Sequence, residues 1–197
     1  MHVEAQKSSR FAPMVSLVLL VLLALPAAAK EKREPIEKFR VNAVSVDRGR
    51  ASTFDITIYE WTTPEERAGL VKALVEEDSK ALYDALGEVS DKGYLKPART
   101  LGYDMQYAWQ VEVDGKRRIV LASNRPMGFL RPARSASYSI SLVMLELDPE
   151  TGEGEGQAVG GAEVSIDEET GRLQIAAPGT QPTRLINVKT LPIKKKD

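Results

Sequence analysis

The chain has 197 residues, no cysteine and a single histidine, His2, and its 27 basic and 28 acidic side chains leave a formal charge of −1. That near-neutral balance gives no bulk electrostatic pull toward nucleic acid or anionic lipid. With no thiol anywhere and no imidazole beyond residue 2, the composition excludes disulfide scaffolds, Ser-His-Asp and Cys-His nucleophiles, and zinc, copper or haem sites. Carboxylate acid/base work, lysine or tyrosine chemistry and oxygen-ligand metals remain open. The sequence itself calls for no cofactor and no metal.

Residues 1–29 read as a secretory signal peptide. Lys7 and Arg10 form a basic start, Met14 to Leu25 is an apolar run broken only by Ser16, and Pro26 ends it. Ala27 and Ala29 then supply the small residues of a cleavage site before Lys30. A membrane-spanning helix needs about 20 apolar residues, so no stable anchor is expected after cleavage. Removal of Glu4, Lys7 and Arg10 leaves 25 basic and 27 acidic side chains on the 168 residues Lys30–Asp197. That is the size of one domain able to bury a core without cross-links.

Within it, residues 30–40 read as a flexible lead-in that orders around Ile36 and Phe39, residues 41–191 as a single β-rich domain, and residues 192–197 as a basic tail. Val41 to Trp61 predicts two strands with a turn at Asp47–Gly49. In the second, Phe54, Ile56 and Ile58 alternate with polar residues, the period of a half-buried strand. Tyr59 and Trp61 fall on the opposite parity, which predicts a covered far face near the strand's end. The period then changes. Thr63 as N-cap, Pro64 at the first helical position and Glu66 at the third form a capping box. Leu70, Val71, Leu74 and Val75, and then Leu82, Leu86 and Val89, follow at helical spacing. Two helices or one kinked helix are therefore expected over residues 64–89. Between Glu65 and Lys92 stand eight acidic and four basic residues, which refuses a DNA-binding helix pair.

From Gly93 onward the chain reads as strands. Asp114-Gly115 marks a tight hairpin, and Pro126 and Pro132 bound a loop. Tyr138, Ile140, Leu142 and Met144 alternate in the next strand. The expected fold is α+β, mostly antiparallel β as a barrel or sandwich of about 8–10 strands, with the helical segment near residues 64–89 covering a sheet face or barrel end. Asp148 to Gly152 and Asp167 to Gly171 share the pattern Asp-x-Glu-Thr-Gly. Asp148 and Glu150 match the first two ligands of a calcium loop, but Gly152 stands where the third belongs and no helices flank it. A hairpin turn is the better reading. Glu153 and Glu155, between glycines, would share one face of an extended run as an acidic patch.

Three groups are candidate sites. Tyr103, Met105, Tyr107 and Trp109 share one face of a continuous strand, either as a stacking platform for a ligand, which Trp61 would join, or as core. Asp55, Asp104 and Glu112 are acids inside predicted strands. Asp104 and Glu112 are the catalytic candidates for a carboxylate pair, which needs about 5–9 Å of separation; the alternative is an exposed face. Arg117, Arg118, Arg125, Arg131 and Arg134 form a basic run in which Arg125 and Arg131 are the candidates for an anionic ligand, against solvated strand ends.

The stretches "FDITIYEWTTPEERAGLVKALVE", "GYLKPARTLGYDMQYAWQV", "RRIVLASNRPMGF" and "GEGEGQ" resemble a group of exported bacterial proteins made of a signal peptide and one β-rich domain, with no assigned activity. The resemblance implies export and a coherent fold and carries no catalytic residue across. The expectation is an exported (periplasmic or extracellular) non-enzymatic binding or accessory module whose partner is a small ligand or a protein. The alternatives are a carboxylate-dependent hydrolase and a structural subunit of a periplasmic or surface assembly.

Overall fold

A computed structural model of the chain describes residues 33–45, 50–76, 78–98, 100–127, 130, 140–166, 173–176 and 181–193. The signal segment with Ala27, Ala29 and Lys30, the turn at Asp47–Gly49, Arg131, Arg134, Tyr138 and the Asp167–Gly171 repeat lie outside the described residues.

The strands are β1 (Glu37–Ser45), β2 (Arg50–Ile58), β3 (Gly93–Pro97), β4 (Tyr103–Met105), β5 (Tyr107–Val113), β6 (Lys116–Ser123), β7 (Ile140–Leu147), β8 (Glu153–Ile166), β9 (Leu173–Ala176) and β10 (Thr183–Thr190). Two helices, α1 (Pro64–Glu76) and α2 (Ser79–Glu88), interrupt them between β2 and β3. All pairings are antiparallel, in the order β4-β3-β2-β1-β10-β8-β7-β6-β5, with β9 added to the far part of β8. The fold is the expected mostly antiparallel α+β one, as a nearly closed, barrel-like sheet rather than a sandwich.

Closure follows from one residue. β4 and β5 lie at opposite ends of the strand order, yet only Gln106 separates them in the chain. Before it, the Lys92 amide donates to the Met105 carbonyl at 2.7 Å; after it, the Gln106 amide donates to the Ala122 carbonyl at 3.0 Å. The strand thus exchanges one neighbour for the other within a residue. Thr62 holds the seam from the side: its amide donates to the Ala108 carbonyl at 2.7 Å and its hydroxyl accepts from the Ala108 amide at 2.9 Å. A closed sheet leaves few unpaired strand edges.

The inward positions fill the barrel. Phe39, Phe54, Ile56, Ile58, Leu95, Met105, Leu121 and Leu145 are all buried in one cluster, against which Trp61 and Tyr103 pack. The predicted alternation of β2 is what the barrel needs. Within the 30–40 segment β1 begins at Glu37, and Phe39 lies in the core, because β1 pairs with both β2 and β10. Trp61 also departs from expectation. β2 stops at Ile58, so strand parity no longer applies, and Trp61 turns toward the interior under the Arg117 guanidinium, 5.7 Å from its ring centroid.

The turns match their sequence signals. Asp114 and Gly115 take φ of 53° and 71° between paired Val113 and Lys116, a two-residue hairpin. At the next hairpin one carboxylate oxygen of Asp148 accepts from the Glu150 and Thr151 amides, each at 2.9 Å, and Gly152 adopts φ 66°. Those two amides, Thr151 first, hold the Asp148 carboxyl below its ordinary range. One oxygen of that carboxylate is thereby engaged in holding the turn. Beyond it, Glu153 pairs with Lys189 at 2.9 Å and Glu155 approaches Arg184 at 3.9 Å, so the acidic face is matched by basic side chains of β10. Gly154 and Gly156 are needed for close approach: a Cβ there would lie 2.0 and 2.1 Å from carbonyl oxygens of β7.

Candidate ligand-binding groove

The helices are capped and fixed to the barrel before any groove is formed. The Glu66 amide donates to Thr63 Oγ1 at 3.2 Å, and Glu66 Oε2 accepts from the Thr63 amide at 2.8 Å, completing the capping box. The other oxygen of Glu66 accepts from Lys92 Nζ at 2.7 Å, and Glu60 accepts from the same ammonium at 3.0 Å. Burial alone would push both Glu66 and Lys92 toward their neutral forms. The hydrogen bonds and opposite charges between them, joined by Glu60 and by Thr63, together outweigh it, so Glu66 stays below and Lys92 above the ordinary value. Asp78 caps α2 by accepting from the Ala81 amide at 2.9 Å, and Ser79 Oγ donates to the Val164 carbonyl of β8 at 2.5 Å.

So anchored, α1 and α2 lie over the outer face of the wall. Leu70 and Leu74 of α1 and Leu82 and Leu86 of α2 pack with Leu142, Val159 and Val164 in a second buried cluster. This is why β7 is buried on both faces: Val143, Leu145 and Leu147 point into the barrel, while Ile140 and Leu142 point at the helices. The helices do not cover the wall completely. Between them and the outer faces of β5, β6 and β7 runs a groove of about 420 Å³ floored by Tyr107, Trp109, Val120 and Met144. That volume lies within the range of small-molecule sites, about 300–1,000 Å³. Val71, Val111 and Ile175 stand exposed around its rim.

Its polar groups are few. The Arg67 guanidinium lies over the Trp109 ring, 5.2 Å from the centroid, beside Tyr107 in the same groove. Burial raises the Tyr107 phenol above its ordinary value, and Arg67 opposes that rise. Arg118 is held by Glu146, which accepts from it at 3.0 and 2.6 Å. Arg118 and Met144 also border a second, more polar cavity of about 420 Å³ with Glu155 and Arg184 on its walls.

The candidate residues are thereby sorted. Tyr107 and Trp109 meet in the groove, but Tyr103 and Met105 do not join them. The exchange of neighbours at Gln106 reverses the parity, so Tyr103 and Met105 face the barrel core and Tyr107 and Trp109 face outward. Trp61, on the inner side, stays apart from Trp109. Arg125 is an exposed loop residue beyond β6 that does not line the groove. Arg117 is engaged by Glu37 through two contacts of 2.6 Å. Asp104 and Glu112 are not brought together: the rise from Tyr107 to Glu112 alone is about 17 Å of strand, and neither residue lines the groove. Asp55 is paired with Arg40 at 2.9 Å on an exposed face. No group of three acidic or imidazole ligands suited to a metal occurs among the described residues.

Arg67 is the residue the sequence reading passed over. Its signal was present: it stands three, four and seven positions before Leu70, Val71 and Leu74, on the same helical stripe. Comparison with known proteins finds no matching family model, no similar curated protein and no similar solved structure. The chemistry of the groove therefore rests on its own residues.

Proposed function

We propose that the chain is an exported, non-enzymatic binding module that holds a small amphipathic ligand between its helices and the barrel wall. What carries the reading is the meeting of Tyr107, Trp109 and Arg67 at the edge of an apolar groove of about 420 Å³. A concave apolar cleft with a few convergent polar groups is the common form of a small-molecule site. Export through residues 1–29 belongs to the same proposal and is supported by the basic, apolar and Ala27-x-Ala29 pattern before Lys30. The hydrolase reading has less support, since its two carboxylates stand apart.

The test begins with the full chain expressed in a Gram-negative host and recovered from the periplasm. Native mass spectrometry should give the mass of Lys30–Asp197 with a retained small molecule, or a chain that binds a hydrophobic fluorescent probe saturably. Val120→Trp fills the floor of the groove and should abolish either signal while the protein still melts cooperatively. A bare chain that binds no probe, or probe binding that Val120→Trp leaves intact, would overturn the proposal.

A further inference from the structure

We infer that the occupant of the groove is a free long-chain carboxylate, lying with its acid head on Arg67 and its aliphatic chain between the helices and the wall. The inference rests on the binding-module reading above and names the ligand class.

Charge bookkeeping around the groove selects the head group. Among the described residues two arginines line the groove, Arg67 and Arg118, and Arg118 has a carboxylate partner, Glu146, at 2.6 Å. Arg67 has no carboxylate within ion-pair distance among the described residues, and its guanidinium stacks on the Trp109 ring. That stacking holds the guanidinium in place without neutralising it, and an arginine stacked on an aromatic face keeps donors in its plane for a carboxylate. One uncompensated guanidinium matches a monoanion. A doubly charged phosphate would need a second cation, and the other arginine on the lining, Arg118, is already committed to Glu146.

The rest of the groove selects the tail. Behind Arg67 its lining is aliphatic, with Leu70 and Leu74 facing Val120 and Leu142. Of the six large apolar side chains that stand exposed among the described residues, Val71, Val111 and Ile175 are on this rim. An apolar surface gathered in one place, rather than scattered, marks a binding site. About 420 Å³ is near the lower end for small-molecule sites, which suits one chain rather than the two of a membrane phospholipid.

The experiment is calorimetric titration of the exported protein with dodecanoate, dodecanol, dodecyltrimethylammonium and a lysophospholipid. Dodecanoate should bind one per chain and about ten- to a hundredfold tighter than dodecanol, the range of a hydrogen-bonded charge. Arg67→Gln should erase that advantage by bringing dodecanoate affinity down to that of dodecanol, and Arg67→Lys should restore part of it. Equal affinity for dodecanoate and dodecanol, or an advantage that survives Arg67→Gln, would overturn the carboxylate head and leave the groove as an apolar site. Lysophospholipid binding as tight as dodecanoate, and equally sensitive to Arg67→Gln, would overturn it in favour of a phosphate head. Failure of all four to bind would remove the inference together with the function proposed above.

Discussion

Lys92 has only 1% of its side chain exposed, yet its ammonium is satisfied by Glu66 and Glu60 on one side and approached by Ser90 Oγ at 3.4 Å. It joins the start of β3 to the start of α1, so the ion pair links the seam, through Lys92, to the helix cap, through Glu66. The pH dependence follows from the signs. Glu66 has a folded pKa below its unfolded value of about 4.3, so its contribution is present above that value and is lost as pH falls through the folded one. Lys92 is raised, so its contribution is present below about 10.4 and is lost as pH rises through the folded value. Urea unfolding should show a plateau between these limits. Glu60→Gln with Glu66→Gln would leave the buried ammonium unpaired and should cost about 3–5 kcal/mol at neutral pH. Lys92→Met should cost less, because both glutamates keep access to water, and should remove the pair's share of the alkaline loss. A double variant as stable as the parent would show that the pair contributes nothing. None of this was legible in the sequence, where Lys92 reads as one more charge in a solvated stretch. Only the closing of the seam buries it.

The helices show what local pattern reveals and what it leaves out. The capping box at Thr63 and Glu66 and the restart at Asp78 were readable, because both are satisfied within a few residues. The stripe was only half right. Leu70 and Leu74 are buried, while Val71 and Val75 remain 44% and 57% exposed. Helical spacing defines a face, but which edge of that face meets the wall depends on where the Thr62 latch sets the helix down. Circular dichroism melts should therefore separate these positions. Thr63→Ala should cost about 1 kcal/mol through the lost cap, and Leu70→Ala about 2–5 kcal/mol. Val75→Glu should stay within about 0.5 kcal/mol of the parent. A large loss at Val75 would mean that α1 packs through a different edge. The strand break at Gln106 was less readable still. It carries no glycine, proline or other turn signal, and its effect lies wholly in the two distant strands it connects.

At the scale of the molecule, the α+β class, the number of strands and the two hairpin turns at Asp114 and Asp148 followed from alternation and turn chemistry. Closure into a barrel did not, because alternation identifies an inward face without naming the strand's neighbours. For the same reason Tyr107 and Trp109 could be singled out as a site, while their separation from Tyr103 and their meeting with Arg67 depend on long-range pairing. The central claim is that this meeting forms a ligand site, and Trp109 reports on it directly. The protein has two tryptophans, so Trp61→Phe leaves Trp109 as the only indole. Titrating that full-length, exported variant with dodecanoate should shift Trp109 emission saturably and raise the melting temperature, by the equivalent of about 2.7 kcal/mol at a ligand concentration one hundred times Kd. Both responses should vanish when Val120→Phe, which fills the floor of the groove without adding an indole, is combined with Trp61→Phe. Trp109 emission that stays constant through the titration, with an unmoved melting temperature, would contradict the account.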